Sequence, residues 1–563
     1  MTSYKEEKEG FVSNGGGCSG SDIVAILASL LLTHLLHRSL NNNHVEKRPD
    51  GTTFRRMMTE LTSLVVPLLA ITTILSEWLW TSNLCLALAA LIGSRMRRET
   101  RKEERRGPGA TPSAIISSND QSEHPLLTEH HPHHTPLDGD SQNTSLRRRL
   151  IESDHQVLLT GFPVPDPSSS SSTPQIPAVL RFSHQPFLTI YRAQLVLLTS
   201  ISILAVDFTI FPRKFAKTES WGISLMDSGV GSFVFSLGII SALPILKRVS
   251  SSLCSTNLPQ QPILSELWRS TRKTVPLFLL GLIRIIFVKG VDYPEHVTEY
   301  GVHWNFFFTL SILPLTGVLT KRFYERFRIN LALIGLLLAI CHQSLLSVVG
   351  IQEYVLSSRE RTSLISANRE GLASIPGYMV IYVLGLSAGT YILPPSPDFL
   401  DRVLRDRQNR PDKLVSRQPG KALVVYSSWA IIWWSLFFLC NLFGFPPSRR
   451  LANPTYCFWI AALNLSLITG HSFIHDVLFR PDHPSSKPLE RSQNSTKNIP
   501  LIFQFINQNS LAIFLFANLL TGLINLSVHS IYLDPTLAFF LLLLYSVLIT
   551  IFAWSIKSFK LSL

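Results

Sequence analysis

The residues best suited to chemistry lie in four short polar stretches separated by long apolar runs. In AVDFTIFPRKFAKTESWG, residues 205–222, Asp207 closes the apolar run LVLLTSISIL, and Arg213, Lys214, Lys217 and Glu219 follow it. A carboxylate partly shielded from water has its pKa raised, which suits a general base working near neutral pH. Lys217, with Arg213 and Lys214 beside it, offers cations for an oxyanion or a phosphate. In VKGVDYPEHVTEYGVHWNFF, residues 288–307, His296 and His303 flank Glu299, and Asn305 follows His303 by two positions. A histidine that accepts or relays a proton inside a membrane cavity suits acyl transfer. SSRERTSLISANREG (357–371) adds Asn368 and Arg369, and PPSRRLAN (446–453) adds Arg449 and Arg450.

Each residue also has a structural reading. Asp207 and Lys217 equally fit an interfacial salt bridge that positions a short loop. His303, next to Trp304, fits an anchor at the headgroup level, and Arg449 and Arg450 fit contacts with lipid phosphates. Inside apolar runs, Arg192 is placed to snorkel, while Arg284, Gln343, Asn464, Asn518 and Asn525 fit contacts between helices. His130, His131, His133 and His134 sit in a His-rich tract, but such tracts are more often incidental than metal-binding, so no metal site is assigned. The sequence has no metal motif, Gly-rich phosphate loop or nucleophile elbow, and no serine or cysteine nucleophile with an evident partner. Direct transfer between two bound substrates is therefore expected, rather than a covalent enzyme intermediate.

The elements that must position these residues are membrane helices. Hydrophobic residues make up 46% of the 563 and charged residues 16%, against roughly 25% charged in a typical soluble domain. Apolar runs near the roughly 20 residues that cross a bilayer fall at 22–37, 61–80, 81–95, 186–207, 223–246, 274–289, 302–319, 329–350, 374–393, 422–443, 454–474, 508–530 and 535–556. The expected fold is thus an all-α polytopic integral membrane protein with about thirteen transmembrane helices. It divides into 1–95 (an N-terminal tail and three spans), 96–185, and 186–563 (ten spans).

Cytoplasmic loops retain Lys and Arg. With the N-terminus lumenal and the C-terminus cytoplasmic, 38 of the 51 basic residues fall in cytoplasmic segments and 11 in lumenal ones. The net charge of +13 then reports topology, and no nucleic-acid partner is needed to explain it. All four polar stretches fall on the lumenal side, where charges at the hydrocarbon edge must pair, line a wet cavity or do chemistry. Segment 96–185, with RMRRETRKEERRGPGATPSAIISSNDQ and PDPSSSSSTPQIP, has too little apolar surface to fold and reads as a long disordered cytoplasmic loop. The sequons at Asn143 and Asn494 are expected to carry no glycan. The six cysteines have no C-x-x-C pair, which suggests neither a zinc site nor a disulfide framework. The first residues, MTSYKEEKEGFVSNGGGCSGSD, lack the pattern of a cleaved signal peptide, so the first apolar run is expected to act as its own insertion signal.

Five blocks, FPRKFAKTESWGISLMDSGVGSFVFSLGIIS (211–241), FVKGVDYPEHVTEYGVHWNFF (287–307), SANREG (366–371), SRRLANPTY (448–456) and N-x-x-TGLIN-x-S (518–527), resemble in order the PIG-W family of inositol acyltransferases of glycosylphosphatidylinositol-anchor synthesis. The resemblance runs from about residue 186 to the C-terminus and implies a thirteen-span endoplasmic reticulum enzyme. Such an enzyme moves a fatty acyl group, usually palmitoyl, from acyl-CoA to the inositol ring of glucosaminyl-phosphatidylinositol on the lumenal face. It implies no cofactor beyond the acyl-CoA donor, and partners limited to the two substrates and endoplasmic reticulum lipids. It also implies Asp207 and Lys217 as the catalytic pair. Asp207 would deprotonate the inositol hydroxyl; Lys217 would either hold that aspartate ionised or stabilise charge on the thioester oxygen. Arg213 and Lys214 are then candidates for phosphate, and His296, Glu299, His303, Asn305, Asn368 and Arg369 for the lining of the substrate cavity. The 96–185 segment is longer and more polar than a compact loop of that family. Two other classes remain open: a lipid transporter or flippase, and a membrane-bound O-acyltransferase centred on His303.

Overall fold

The computed structural model describes residues 4–13, 15–40, 52–106, 185–254, 262–290, 297–394, 396–400, 418–479 and 499–559. Residues 96–106, expected to open the disordered loop, are helical instead, since MRRETRKEERR is rich in strong helix formers. The rest of that loop beyond Arg106, with the His130–His134 tract, the sequons at Asn143 and Asn494, and His296, lies outside the described residues. One compact unit comprises residues 1–97 with 176–561, and residues 98–175 group separately.

The chain is all-α. It begins with α1 (Tyr4–Val12), α2 (Gly20–Leu40) and α3 (Thr52–Glu60), which runs through a π turn at Leu61–Val65 into α4 (Val66–Thr72). Then come α5 (Leu79–Arg106), α6 (Pro186–Ala205), α7 (Leu225–Ser241), α8 (Leu243–Cys254) and α9 (Ile263–Gly290). The short α10 (Val297–Tyr300) precedes α11 (Phe306–Phe327), α12 (Leu331–Ser347), α13 (Ile351–Leu356), α14 (Leu364–Ala367) and α15 (Arg369–Ile392). The last elements are α16 (Pro419–Leu442), α17 (Pro454–Phe473), α18 (Leu501–Gln508), α19 (Ser510–Ser527) and α20 (Pro535–Ser555).

Among the described residues, ten helices are long and apolar enough to cross a membrane. The other three expected spans also fall on helix. Residues 274–289 lie in α9, where Arg269, Arg272 and Lys273 precede the apolar run and Arg284 interrupts it; 329–350 shortens to α12; and 61–80 ends early, at α4. The break expected at 80/81 falls instead at Thr73–Leu75. The hydroxyls of Thr72 and Thr73 donate to the carbonyls of Leu68 and Leu69, and the Leu75 N–H reaches back to the Ala70 carbonyl. Ser76 and Glu77 follow the turn at once, a polar mark that the apolar run drawn over 61–80 passed over.

Local sequence sets the starts of the spans. Proline opens α6, α16, α17 and α20 at positions where no N–H is required. Ser224, Asn305, Asn330, Asn453 and Asp534 each accept a first-turn N–H. Helices α6, α7, α15 and α17 form the interior of the bundle, while Leu519, Leu523 and Leu526 on α19 and Ile431 and Phe438 on α16 face outward. At the centre, the G-x-x-x-G of Gly385 and Gly389 lets α15 lie directly on α7. A Cβ on Gly385 would come 2.3 Å from the Phe235 carbonyl oxygen, and one on Gly389 2.3 Å from that of Ile239. Without a hydrophobic drive between helices in lipid, such close backbone contact is what holds two spans together.

Candidate active site

The four polar stretches converge at one end of the bundle. The Gly222 N–H donates to the Pro447 carbonyl and the Ser448 hydroxyl to the Ser220 carbonyl, and the Val302 N–H donates to the Ala367 carbonyl. Ionic contacts complete the assembly. Arg449 Nε lies 2.7 Å from Asp227 Oδ1 and its Nη1 3.2 Å from Glu299 Oε1, while Lys217 Nζ lies 2.7 Å from Glu299 Oε2. Arg450 and Arg361 both reach Glu370, at 2.9 and 2.6 Å. Arg449 and Arg450 are therefore buried struts of the protein and not lipid contacts.

Asp227 is the hub. It is fully buried at the start of α7 and accepts from the N–H and hydroxyl of Thr218 (3.2 and 2.8 Å), the hydroxyl of Ser224 (2.8 Å) and the Arg449 guanidinium. Ser224 accepts the Asp227 N–H in return, so one reciprocal cap fixes both the helix start and the strut.

Asp207 follows the last turn of α6 and is 2% exposed. Its Oδ2 accepts the Asn525 amide of α19 at 2.8 Å, and its Oδ1 lies 3.6 Å from Lys8 Nζ of α1. Lys8 also donates to Asn525 Oδ1 at 3.0 Å, so lysine, asparagine and aspartate close a three-membered ring. Burial pushes the Asp207 carboxyl above its ordinary value. The Lys8 charge, hydrogen bonds from Asn525 and Lys8, and the Arg213 charge pull it back without cancelling the effect.

Lys217 does not touch Asp207. Its ammonium is given to Glu299, and its side chain is 38% exposed at the mouth of the site. Arg213 spends one guanidinium nitrogen on the carbonyls of Val206, Phe208 and Phe211 in the loop after α6, and stacks 4.0 Å from the Phe11 ring. Burial lowers its pKa to about 10, with Asp207 opposing. Lys214 lies 3.5 Å from Asp22 and 3.8 Å from Glu77.

Several expected lining residues are committed to structure. Asn305 caps α11, accepting the Phe307 N–H and donating to the Gly281 carbonyl. Asn368 accepts the N–H groups of His303 and Trp304 and donates to the Leu364 carbonyl. Arg369 clamps the preceding loop through the carbonyls of Ser357 and Arg359. The half-buried His303 ring has no hydrogen-bond partner among the described residues, and Glu299 joins Lys217 to Arg449. Arg192 is partly buried in α6, and Arg284 is exposed on α9 rather than in contact between helices.

Sequence reading overlooked Lys8, Asp227 and Glu370 as site residues, and assigned Asn525 only to helix contacts. Asn525 and Asp227 carried a signal, since both fall inside resembling blocks. Lys8 carried none, as YKEEKEG reads like any solvated charged segment.

The GWT1 family model matches residues 4–136 and 143–556. The chain is 34% identical to GPI-anchored wall transfer protein 1 of Aspergillus oryzae over 568 residues, covering 98% of this chain and 97% of that one. Against the proteins of the same name from Gibberella zeae and Aspergillus fumigatus, identity is 36% over 403 residues (71% and 77% of the two chains) and 41% over 384 residues (65% and 70%). The match spans the N-terminal helices as well as the blocks from residue 186 onward, and the chain belongs to the GWT1 family, the PIG-W family that those blocks resemble.

Proposed function

We propose that this chain acts in glycosylphosphatidylinositol-anchor biosynthesis as an acyl-CoA-dependent O-acyltransferase. It would move a palmitoyl or similar chain to the inositol of glucosaminyl-phosphatidylinositol at the lumenal face of the endoplasmic reticulum membrane. Family membership supports the pathway, and the relatives' name, GPI-anchored wall transfer protein 1, points the same way. The observation that carries the chemistry is the enclosed Asp207 carboxylate, set at the end of a span among charged loops with Lys217 ten residues further on.

In the reaction, Asp207 takes the proton of an inositol hydroxyl as its oxygen attacks the thioester carbonyl. The C–O bond forms and the C–S bond breaks. The proton passes to the departing thiolate, leaving an inositol ester and free coenzyme A. Of the two roles open to Lys217, the geometry favours the second. Lys8 already occupies the place of a cation beside Asp207, and Lys217 pairs with Glu299 on a partly exposed side chain, which supports its use as the cation for charge on the thioester oxygen.

The test supplies labelled palmitoyl-CoA and glucosaminyl-phosphatidylinositol to microsomes from cells lacking their own enzyme. Inositol-acylated lipid is expected from the intact chain and none from Asp207→Asn at matched expression. Activity lost with a His303→Ala change and retained in Asp207→Asn would transfer the chemistry to the histidine. No product from the intact chain would favour a transporter.

A further inference from the structure

A base is useful only while it is ionised, and the enclosure of Asp207 opposes ionisation. The groups facing its carboxylate come from four elements. Asn525 of α19 supplies an amide N–H, and Tyr545 of α20 points its hydroxyl at the carbonyls of Ser200 and Ala517. Arg213, on the loop of Asp207 itself, is spread over three carbonyls; Lys217 and Lys214, on the same loop, pair with Glu299 and with Asp22 and Glu77. Among the described residues, Lys8 of α1 is the ammonium that comes within ion-pair range of Asp207, and it is itself 4% exposed.

The segment that delivers Lys8 is built into the site. Phe11 lies beneath the Arg213 guanidinium, Tyr4 meets the His529 ring edge-on at 4.6 Å, and Glu7 accepts the Tyr532 hydroxyl. Gly15 bridges to Thr218, and a Cβ there would sit 2.1 Å from the Lys217 carbonyl oxygen. The Cys18 N–H donates to the Ile223 carbonyl at 2.8 Å. The contacts of Phe11, Gly15 and Cys18 run along the loop that bears Asp207 and Lys217 and its end at Ile223, while those of Tyr4 and Glu7 pin α1 to His529 and Tyr532 after α19, so α1 and the residues after it cover the loop.

We infer that Lys8 is a positioning residue for the acyl transfer: from the first helix it holds Asp207 as the carboxylate, and with Asn525 it fixes the direction in which that carboxylate receives the acceptor's proton. The inference rests on the reading of Asp207 as the base. It divides the labour between two lysines, with Lys8 serving the base and Lys217 left for the reacting carbonyl.

The experiment uses the full chain in detergent-permeabilised microsomes, so that bulk pH reaches the site, with palmitoyl-CoA and glucosaminyl-phosphatidylinositol as substrates. Rates are taken across pH for the intact chain, Lys8→Met and Lys8→Arg. Below the acid limb, a base that titrates about one pH unit higher has about a tenth of its former ionised fraction. Lys8→Met is therefore expected to lose about tenfold or more in kcat on the acid side. Its acid limb should move to higher pH by about one unit or more, and KM for palmitoyl-CoA should stay within about twofold. Lys8→Arg should keep both limb and rate. The limb's position does not depend on how much enzyme folds. An unmoved limb in Lys8→Met, or equal loss in Lys8→Met and Lys8→Arg with the limb in place, overturns the inference while the proposed function stands. If the intact chain forms no acylated lipid, both fall together.

Discussion

At the scale of single residues, the site turns on how buried charges are compensated. Asp207 is raised above the ordinary aspartate value by its burial, and Lys8, Asn525 and Arg213 recover only part of that rise. The base form therefore appears at higher pH than for an exposed aspartate. Acyl transfer should fall on the acid side along a limb set by this raised value, and Asp207→Asn should cost about 10²–10⁴-fold in rate per folded enzyme. A pH–rate profile with no limb above the ordinary aspartate range would remove Asp207 as the base. Arg449 should behave in the opposite way. Its guanidinium joins fully buried Asp227 to Glu299, so Arg449→Met strands a buried carboxylate, a loss of about 3–5 kcal/mol. The expected result is a lower thermal midpoint and less monodisperse protein in detergent, where a purely catalytic loss would leave both unchanged. Asp207 was legible in sequence because a charge ending an apolar run is costly wherever it lies. Its partners were not, because Asn525 is 318 residues away and nothing local ties Lys8 to it. Asn305, Asn368 and Arg369 stood out as polar residues at a membrane edge, yet their side chains hold loop backbone, and composition does not distinguish a polar group facing substrate from one facing a carbonyl.

Helices were readable where length and apolarity coincide, and less so where a turn is marked only by a short polar interruption. The turn at Thr73–Leu75 is one case, since Thr72, Thr73, Ser76 and Glu77 lie within a stretch that is otherwise apolar. The pairing of α7 with α15 is the opposite case: the G-x-x-x-G of 385–389 is visible in sequence, but which helix it faces is not. That contact yields a paired prediction. At Gly385 a methyl group would press on the Phe235 backbone, while Gly522 on α19 has nothing within 4 Å of such a methyl. Gly385→Ala is expected to lose about 1–3 kcal/mol through overpacking. Gly522→Ala should leave stability unchanged, or raise it by up to about 1 kcal/mol through helix propensity. Thermal midpoints of the two variants, purified side by side, decide the matter, and equal midpoints would mean that α7 and α15 are not in backbone contact.

Across the whole molecule, the charged loops sort to two ends. One end gathers 205–222, Glu299 with its neighbours, 357–371 and 446–453 through the Asp227–Arg449–Glu299–Lys217 chain and the Glu370 cluster. Elsewhere Arg248, Lys321 and Arg322 converge on Glu266, joining the segments 247–273 and 320–328. In the first group the cations are matched by buried acids, whereas the segments assigned to the opposite side hold 38 of the 51 basic residues. Positive charge resists translocation, so the end bearing Asp207 should face the lumen. Asn143 and Asn494 should then stay unglycosylated, and an N-terminal extension carrying one sequon should gain a glycan removable by endoglycosidase. A glycan on Asn143 or Asn494, with none on the extension, would reverse the orientation and place Asp207 on the side where acyl-CoA is made.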